Sequence, residues 1–120
     1  MFTEDTCVSI HPYFKVTNGK MDDFKTICEQ LIEKTSNESM CLYYGVSFDG
    51  NTAFVREGYQ DAQAVLGHLE NVGELLGKAL EISELARLEA HGSEEQLSQL
   101  REALASFNPQ YFVLEQGFRK

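Results

Sequence analysis

Residues Met40–Tyr59 read MCLYYGVSFDGNTAFVREGY. Met40 to Phe48 is rich in residues that favour strands, and Thr52 to Tyr59 is a second run of the same kind. Between them stands Asp49-Gly50, a pair that readily adopts the backbone geometry of a tight hairpin turn. The stretch therefore predicts two antiparallel strands joined by a short loop. What flanks this hairpin on either side then decides the fold.

Upstream, Met21, Phe24, Ile27, Cys28, Leu31 and Ile32 recur at spacings of three and four. That period predicts an amphipathic helix over Met21 to about Glu33, with Thr35-Ser36-Asn37 as polar loop. Before it, from about Thr6, Val8, Ile10, Pro12, Phe14 and Val16 alternate with Cys7, Ser9, His11, Tyr13 and Lys15. Period two predicts a strand with one apolar face. Pro12 has no backbone donor, which suggests an edge position or a bulge. Asn18-Gly19 marks the following turn.

Downstream of the hairpin, Ala62, Val65, Leu66, Leu69, Val72, Leu75, Leu76 and Leu80 again follow a helical period. Gly67, Gly73 and Gly77 each cost about 1 kcal/mol against Ala inside a helix, so a break is expected near Asn71–Gly73. Ile82, Ala86, Leu88 and Ala90 fall on alternate positions, which predicts a strand over Glu81–His91. Ser93-Glu94-Glu95-Gln96 has the form of a capping box and opens a helix striped by Leu97, Leu100, Leu104 and Phe107. Asn108-Pro109 stops it, and Tyr111–Arg119 alternates as a last strand, with Phe112, Leu114, Gln116 and Phe118 on one side.

The order is strand, helix, strand, strand, helix, strand, followed by one more helix and strand. The first six elements match the split βαβ, ferredoxin-like arrangement, an α+β fold with helices on one face of a mainly antiparallel sheet. The 120 residues fit one domain, 1–120, with no room for a second core. Helices can cover only one face of such a sheet. The other carries Cys7, Ser9, His11 and Tyr13, joined by Cys41, Tyr43 and Gly45 or by Leu42, Tyr44 and Val46 according to register. A half-apolar aromatic face is poor open surface, so the same face of a second copy is expected to cover it in a homodimer.

The net charge is −9, with only ten Lys and Arg, scattered along the chain. That argues against nucleic acid or an anionic membrane as partner. Three widely spaced cysteines, Cys7, Cys28 and Cys41, fit neither a disulfide framework nor a CxxC metal site, and free thiols point to the cytoplasm. Met-Phe-Thr-Glu-Asp shows no basic, apolar leader, and no stretch approaches the roughly 20 apolar residues of a membrane span.

The run Val55-Arg56-Glu57-Gly58-Tyr59-Gln60-Asp61-Ala62, followed by Leu66-Gly67-His68, resembles the dimeric α+β barrel superfamily. It is closest in pattern to the antibiotic biosynthesis monooxygenase family. Members carry an acidic residue and an aromatic at the end of the third strand. An Asp-Ala opening then leads into a helix bearing a His; here Glu57, Tyr59, Asp61-Ala62 and His68 match. The resemblance implies a cavity between sheet and helices in each subunit. It also implies oxidation of a quinol or phenol by oxygen with no cofactor; some relatives instead degrade haem or isomerise lactones. The haem-degrading branch uses a first-strand Asn and a Trp; this chain has no Trp and carries Ser9 or His11 there, which argues against haem degradation.

His68 is the catalytic candidate, because a neutral imidazole can accept a phenol proton. His11 and Tyr13 are expected near the cavity or the dimer seam, where His11 could bind a substrate oxygen. Tyr43, Tyr44 and Tyr59 could stack on or hydrogen-bond an aromatic ligand, and Glu57 could orient a histidine. No Gly-x-Ser-x-Gly elbow, GxGxxG, Walker, HExxH or calcium-loop motif is present, so no metal is expected. Three functions follow: a cofactor-independent monooxygenase, a non-catalytic dimer that holds a small aromatic or apolar ligand or is stress-associated, or haem binding through His68 or His11.

Overall fold

The computed structural model describes residues 4–120; Met1, Phe2 and Thr3, part of the stretch read above for a leader, lie outside the described residues. The chain runs β1 (Val8–Val16), α1 (Met21–Ser36), β2 (Cys41–Asp49), β3 (Thr52–Tyr59), α2 (Ala62–Glu81) and β4 (Ser83–Gly92). Two short helices follow, α3 (Glu94–Ser98) and α4 (Arg101–Leu104), then a 3-10 turn over Ala105–Phe107 and β5 (Gln110–Val113). The sheet order is β2-β3-β1-β4-β5. The expected ferredoxin-like order therefore holds, with β5 added at one edge as a parallel partner of β4 in an otherwise antiparallel sheet.

β1 lies in the middle of this sheet, so the edge reading of Pro12 is wrong and the bulge reading is right. Pairing with β4 slips between Tyr13 and Phe14: Tyr13 faces Arg87, while Phe14 faces Leu85. Ala86 is the skipped residue. The slip reverses the alternation of β4 below it, turning Ala86 to solvent and Leu85 toward the core, against the even-numbered pattern expected from the sequence. Pro12 itself stays in register with Leu88, and the bulge begins one residue beyond it.

α2 continues unbroken through Asn71–Gly73 for 20 residues. Val65, His68, Val72 and Ala79 are buried along one stripe, and this burial outweighs the glycine cost that predicted a break. Asp61 caps the helix by accepting from the Ala64 N–H at 2.9 Å. The Ser93 hydroxyl accepts from the Gln96 N–H as a capping box requires. Gln96 does not return the bond; its Oε1 accepts instead from the Ala62 N–H at 2.8 Å, pinning the start of α2 to α3. The single helix expected after Ser93 is broken at Gln99–Leu100, yet Leu97, Leu100 and Leu104 are all buried. The last strand is shorter than Tyr111–Arg119. After Val113 the tail runs on to Arg119, which makes a two-pronged ion pair with Asp5.

Candidate active site

β3 supplies the centre of the site. Ala53, Val55, Glu57 and Tyr59 alternate onto the helix-covered face and are all buried. Glu57 sits in register with Ile10 of β1 and Tyr44 of β2. α2 brings His68 over this point, with its ring centroid 5.0 Å from Tyr59 and 5.6 Å from Tyr44.

The polar atoms here form a line through an apolar interior. The Tyr59 hydroxyl donates to Glu57 Oε1 at 2.5 Å. That same oxygen lies 3.6 Å from His68 Nε2, too far for a hydrogen bond but close enough for one to form on a small shift. On its other side, His68 Nδ1 stands 2.9 and 3.1 Å from the two oxygens of Glu38. Asn71 Nδ2 donates to Glu38 Oε2 at 2.8 Å and to the Lys34 carbonyl, and Lys34 Nζ donates back to the Asn71 carbonyl. A carboxylate can only accept, so Nδ1 carries the imidazole proton and Nε2 keeps its lone pair, facing Glu57.

Burial sets the charges. Desolvation pushes the Glu57 carboxyl up to about 8, with the Glu38 charge adding to the rise and the Tyr59 hydrogen bond opposing it. Desolvation also lowers the His68 pKa, against the pull of Glu38. Near neutral pH the site therefore pairs a carboxylic acid with a neutral imidazole, an acid and a base side by side. The Tyr44 and Tyr59 phenols are held well above their ordinary value by burial and stay protonated.

Glu57, His68 and Tyr44 line a cavity of about 70 Å³ between the sheet and α1 and α2. The rest of its wall is apolar, including Ile10, Pro12 and Phe14 from β1 and Phe24 and Leu31 from α1. Among the described residues no cluster of His, Cys, Asp and Glu is arranged to hold a metal ion.

The residues singled out in the sequence thus divide between two faces. Tyr44, Glu57, Tyr59 and His68 converge. His11, Tyr13 and Tyr43 do not: they lie on the opposite face of the sheet. His11 stacks on Phe54 with centroids 5.8 Å apart, meets His91 edge-on at 4.7 Å, and bonds through Nε2 to the Ser9 hydroxyl at 2.8 Å. Tyr13 packs on Phe54, and Tyr43 carries the Arg56 guanidinium over its ring. A slip between Cys41 and Tyr43 in the β2–β3 pairing means that neither simple register of β2 applies. Cys41, Tyr44 and Val46 all pack against the core, while Tyr43 turns away. Glu38 and Asn71, which fix the His68 tautomer, carry no local sequence signal, because each meets its partner some 30 residues away.

No family model and no curated protein matches the chain. Solved structures do. The crystal structure of MupZ from Pseudomonas fluorescens superposes with a TM-score of 0.94 at 42% identity, covering 100% of this chain and 94% of that one. The chain belongs to one family with MupZ, and its fold is that of the antibiotic biosynthesis monooxygenase-like α+β barrels. Smaller members of the fold match only part of it. The crystal structure of an antibiotic biosynthesis monooxygenase has a TM-score of 0.61 at 18% identity, over 69% of this chain and 92% of its own. A conserved protein from Methanosarcina mazei Go1 gives 0.65 at 20%, over 72% and 91%. These two share the fold, whereas the match to MupZ extends over the whole chain, its C-terminal addition included.

Proposed function

We propose that the chain is an enzyme that moves a proton on a small, largely apolar substrate, and that its reaction is cofactor-independent monooxygenation of a quinol or phenol. The observation that carries this reading is the facing pair in the cavity wall, His68 Nε2 with its lone pair and the neutral Glu57 carboxyl 3.6 Å away. His68 takes the hydroxyl proton, and the resulting anion is electron-rich enough to reduce oxygen. For a quinol, one oxygen atom of O₂ stays on carbon and the other leaves as water with two of the quinol's hydrogens, so the substrate supplies all the electrons. Glu57 returns a proton to the departing oxygen. The apolar walls exclude bulk water from the anion.

A second reading draws on the protonated Glu57 itself. An acid and a base side by side can carry out a non-redox proton-transfer isomerisation, which needs no oxygen. Oxygen uptake and product formation over a panel of quinols and phenols, run with and without air, separate the two. Turnover that requires air and falls by roughly 10²–10⁴-fold in His68→Ala supports the oxygenase. Turnover without air supports the isomerase, and tight binding with no turnover supports a ligand-holding protein.

The active form in this reading is a homodimer paired through the open sheet face that carries His11, Tyr13, Phe54 and His91. All three cysteines are unpaired, in keeping with a reducing compartment such as the cytoplasm. No described helix is long and apolar enough to cross a membrane.

A further inference from the structure

The cavity beside Glu57 and His68 is small, and one of its walls is thin. Leu69, Leu76 and Leu80 of α2 and Phe107 of the 3-10 turn line it from outside the sheet. The same four side chains also line a surface groove of about 490 Å³, completed by Leu66, Glu70, Gly73, Gly77 and Ala103. One layer of side chains therefore separates an interior holding an acid–base pair from an open apolar channel.

Three further features mark this layer as a passage. A Cβ built at Gly73 or at Gly77 would meet nothing within 4 Å, so no protein packing demands glycine at either place, although each weakens the helix. Among the described residues, the hydrogen bonds joining α2 to the C-terminal helical segment lie at the first turn of α2, Ala62 to Gln96 and Gln63 to Gln99, far from Phe107. Phe107 itself precedes Asn108, a left-handed residue with φ 50°, and stands on a short 3-10 turn, not within a longer helix. The side chain that closes the cavity is thus held by apolar packing against the core and by no nearby hydrogen bond between the two segments.

We propose that the groove between α2 and the Ala105–Phe107 turn is the outer half of the substrate site, and that it takes an unbranched apolar chain attached to the group that reacts in the cavity. This rests on the reading of Glu57 and His68 as the reacting pair. A cavity of about 70 Å³ admits only a small ring or functional group, so anything larger must pass through the shared wall. The groove offers leucines, phenylalanine and bare backbone for such a chain to lie against. Its one charged residue is Glu70, and the chain as a whole carries −9, so the outward end of the ligand is not an anion.

The probe is a series of 4-alkylphenols from methyl to octyl, with 1-octanol as a chain lacking the ring, titrated calorimetrically into the full-length protein. Affinity should rise by about fourfold for each methylene that enters the groove. In Gly77→Leu or Gly73→Leu, each a substitution toward a better helix former at an exposed position, that rise should disappear while 4-methylphenol binds as before. Unchanged 4-methylphenol affinity also reports that the variants are folded. 1-Octanol that binds the native chain and not the leucine variants supports the groove even if no phenol binds, in which case the quinol reading alone fails. An affinity that levels off at the shortest alkyl group, or long chains that bind native and leucine variants alike, overturns the proposal.

Discussion

At the residue scale, Glu57 and His68 pull pH dependence in opposite directions. The Glu57 carboxyl sits at about 8 when folded, above an ordinary value of 4.5. Between those two values the native chain keeps a proton that the unfolded chain has released, so its stability falls as pH rises through that window. Glu57→Gln keeps an acceptor for Tyr59 without the titration. Its stability relative to the native chain should therefore climb by about 1 kcal/mol per pH unit from pH 6 to 8 in urea unfolding. His68 is lowered, so the unfolded chain binds a proton below pH 6.5 that the buried ring refuses, and stability falls as pH drops there. Glu38→Ala removes the acceptor of Nδ1–H. A histidine ¹⁵N spectrum is then expected to show the lone pair no longer confined to Nε2. Glu57, Tyr59 and His68 were legible because they lie within a dozen residues of one another on a strand end and the helix after it. Alternation also separated the two faces of β1 and put His11 and Tyr13 on the one turned away from the helices, where they lie, apart from the cavity that Glu57 and His68 line.

At the element scale, glycines sort by what surrounds them. A Cβ at Gly58 of β3 would fall 2.3 Å from the Tyr43 ring, so Gly58→Ala must displace that ring from its stack with Arg56, at a cost of roughly 1–3 kcal/mol. Gly73→Ala and Gly77→Ala meet open space, and each should stabilise α2 by about 1 kcal/mol in thermal unfolding. The hairpin, α1 and the strand character of β4 follow directly from their periods. The departures come from long-range packing. The stripe from Val65 to Ala79 carries α2 past its glycines, and the bulge opposite Tyr13 and Phe14 reverses the alternation of β4. The diverted Gln96 ties two helices together where a local capping box was expected. None of these is encoded within a single window of sequence.

At the scale of the molecule, one sheet face is sealed by helices and the other carries a row of aromatic rings. Phe54, His11, His91 and Phe112 touch ring to ring across β3, β1, β4 and β5, stacked at either end and edge-on between the two histidines. Burial and the neighbouring His91 lower the His11 pKa, while Glu89 raises it. If a second copy covers this row, sedimentation velocity at micromolar concentration gives a dimer, and Phe54→Asp, which puts a charge in the seam, gives a monomer. A native chain that sediments as a monomer would remove the dimer.

The central claim is that a neutral carboxylic acid and a neutral imidazole face each other in the cavity. The direct measurement is one NMR titration that follows the Glu57 carboxyl carbon and the His68 ring nitrogens together. Glu57 is expected to stay protonated through neutrality and titrate near 8, with the proton of His68 on Nδ1. A Glu57 carboxyl that is ionised at pH 6, or a doubly protonated His68 at pH 7, would contradict it.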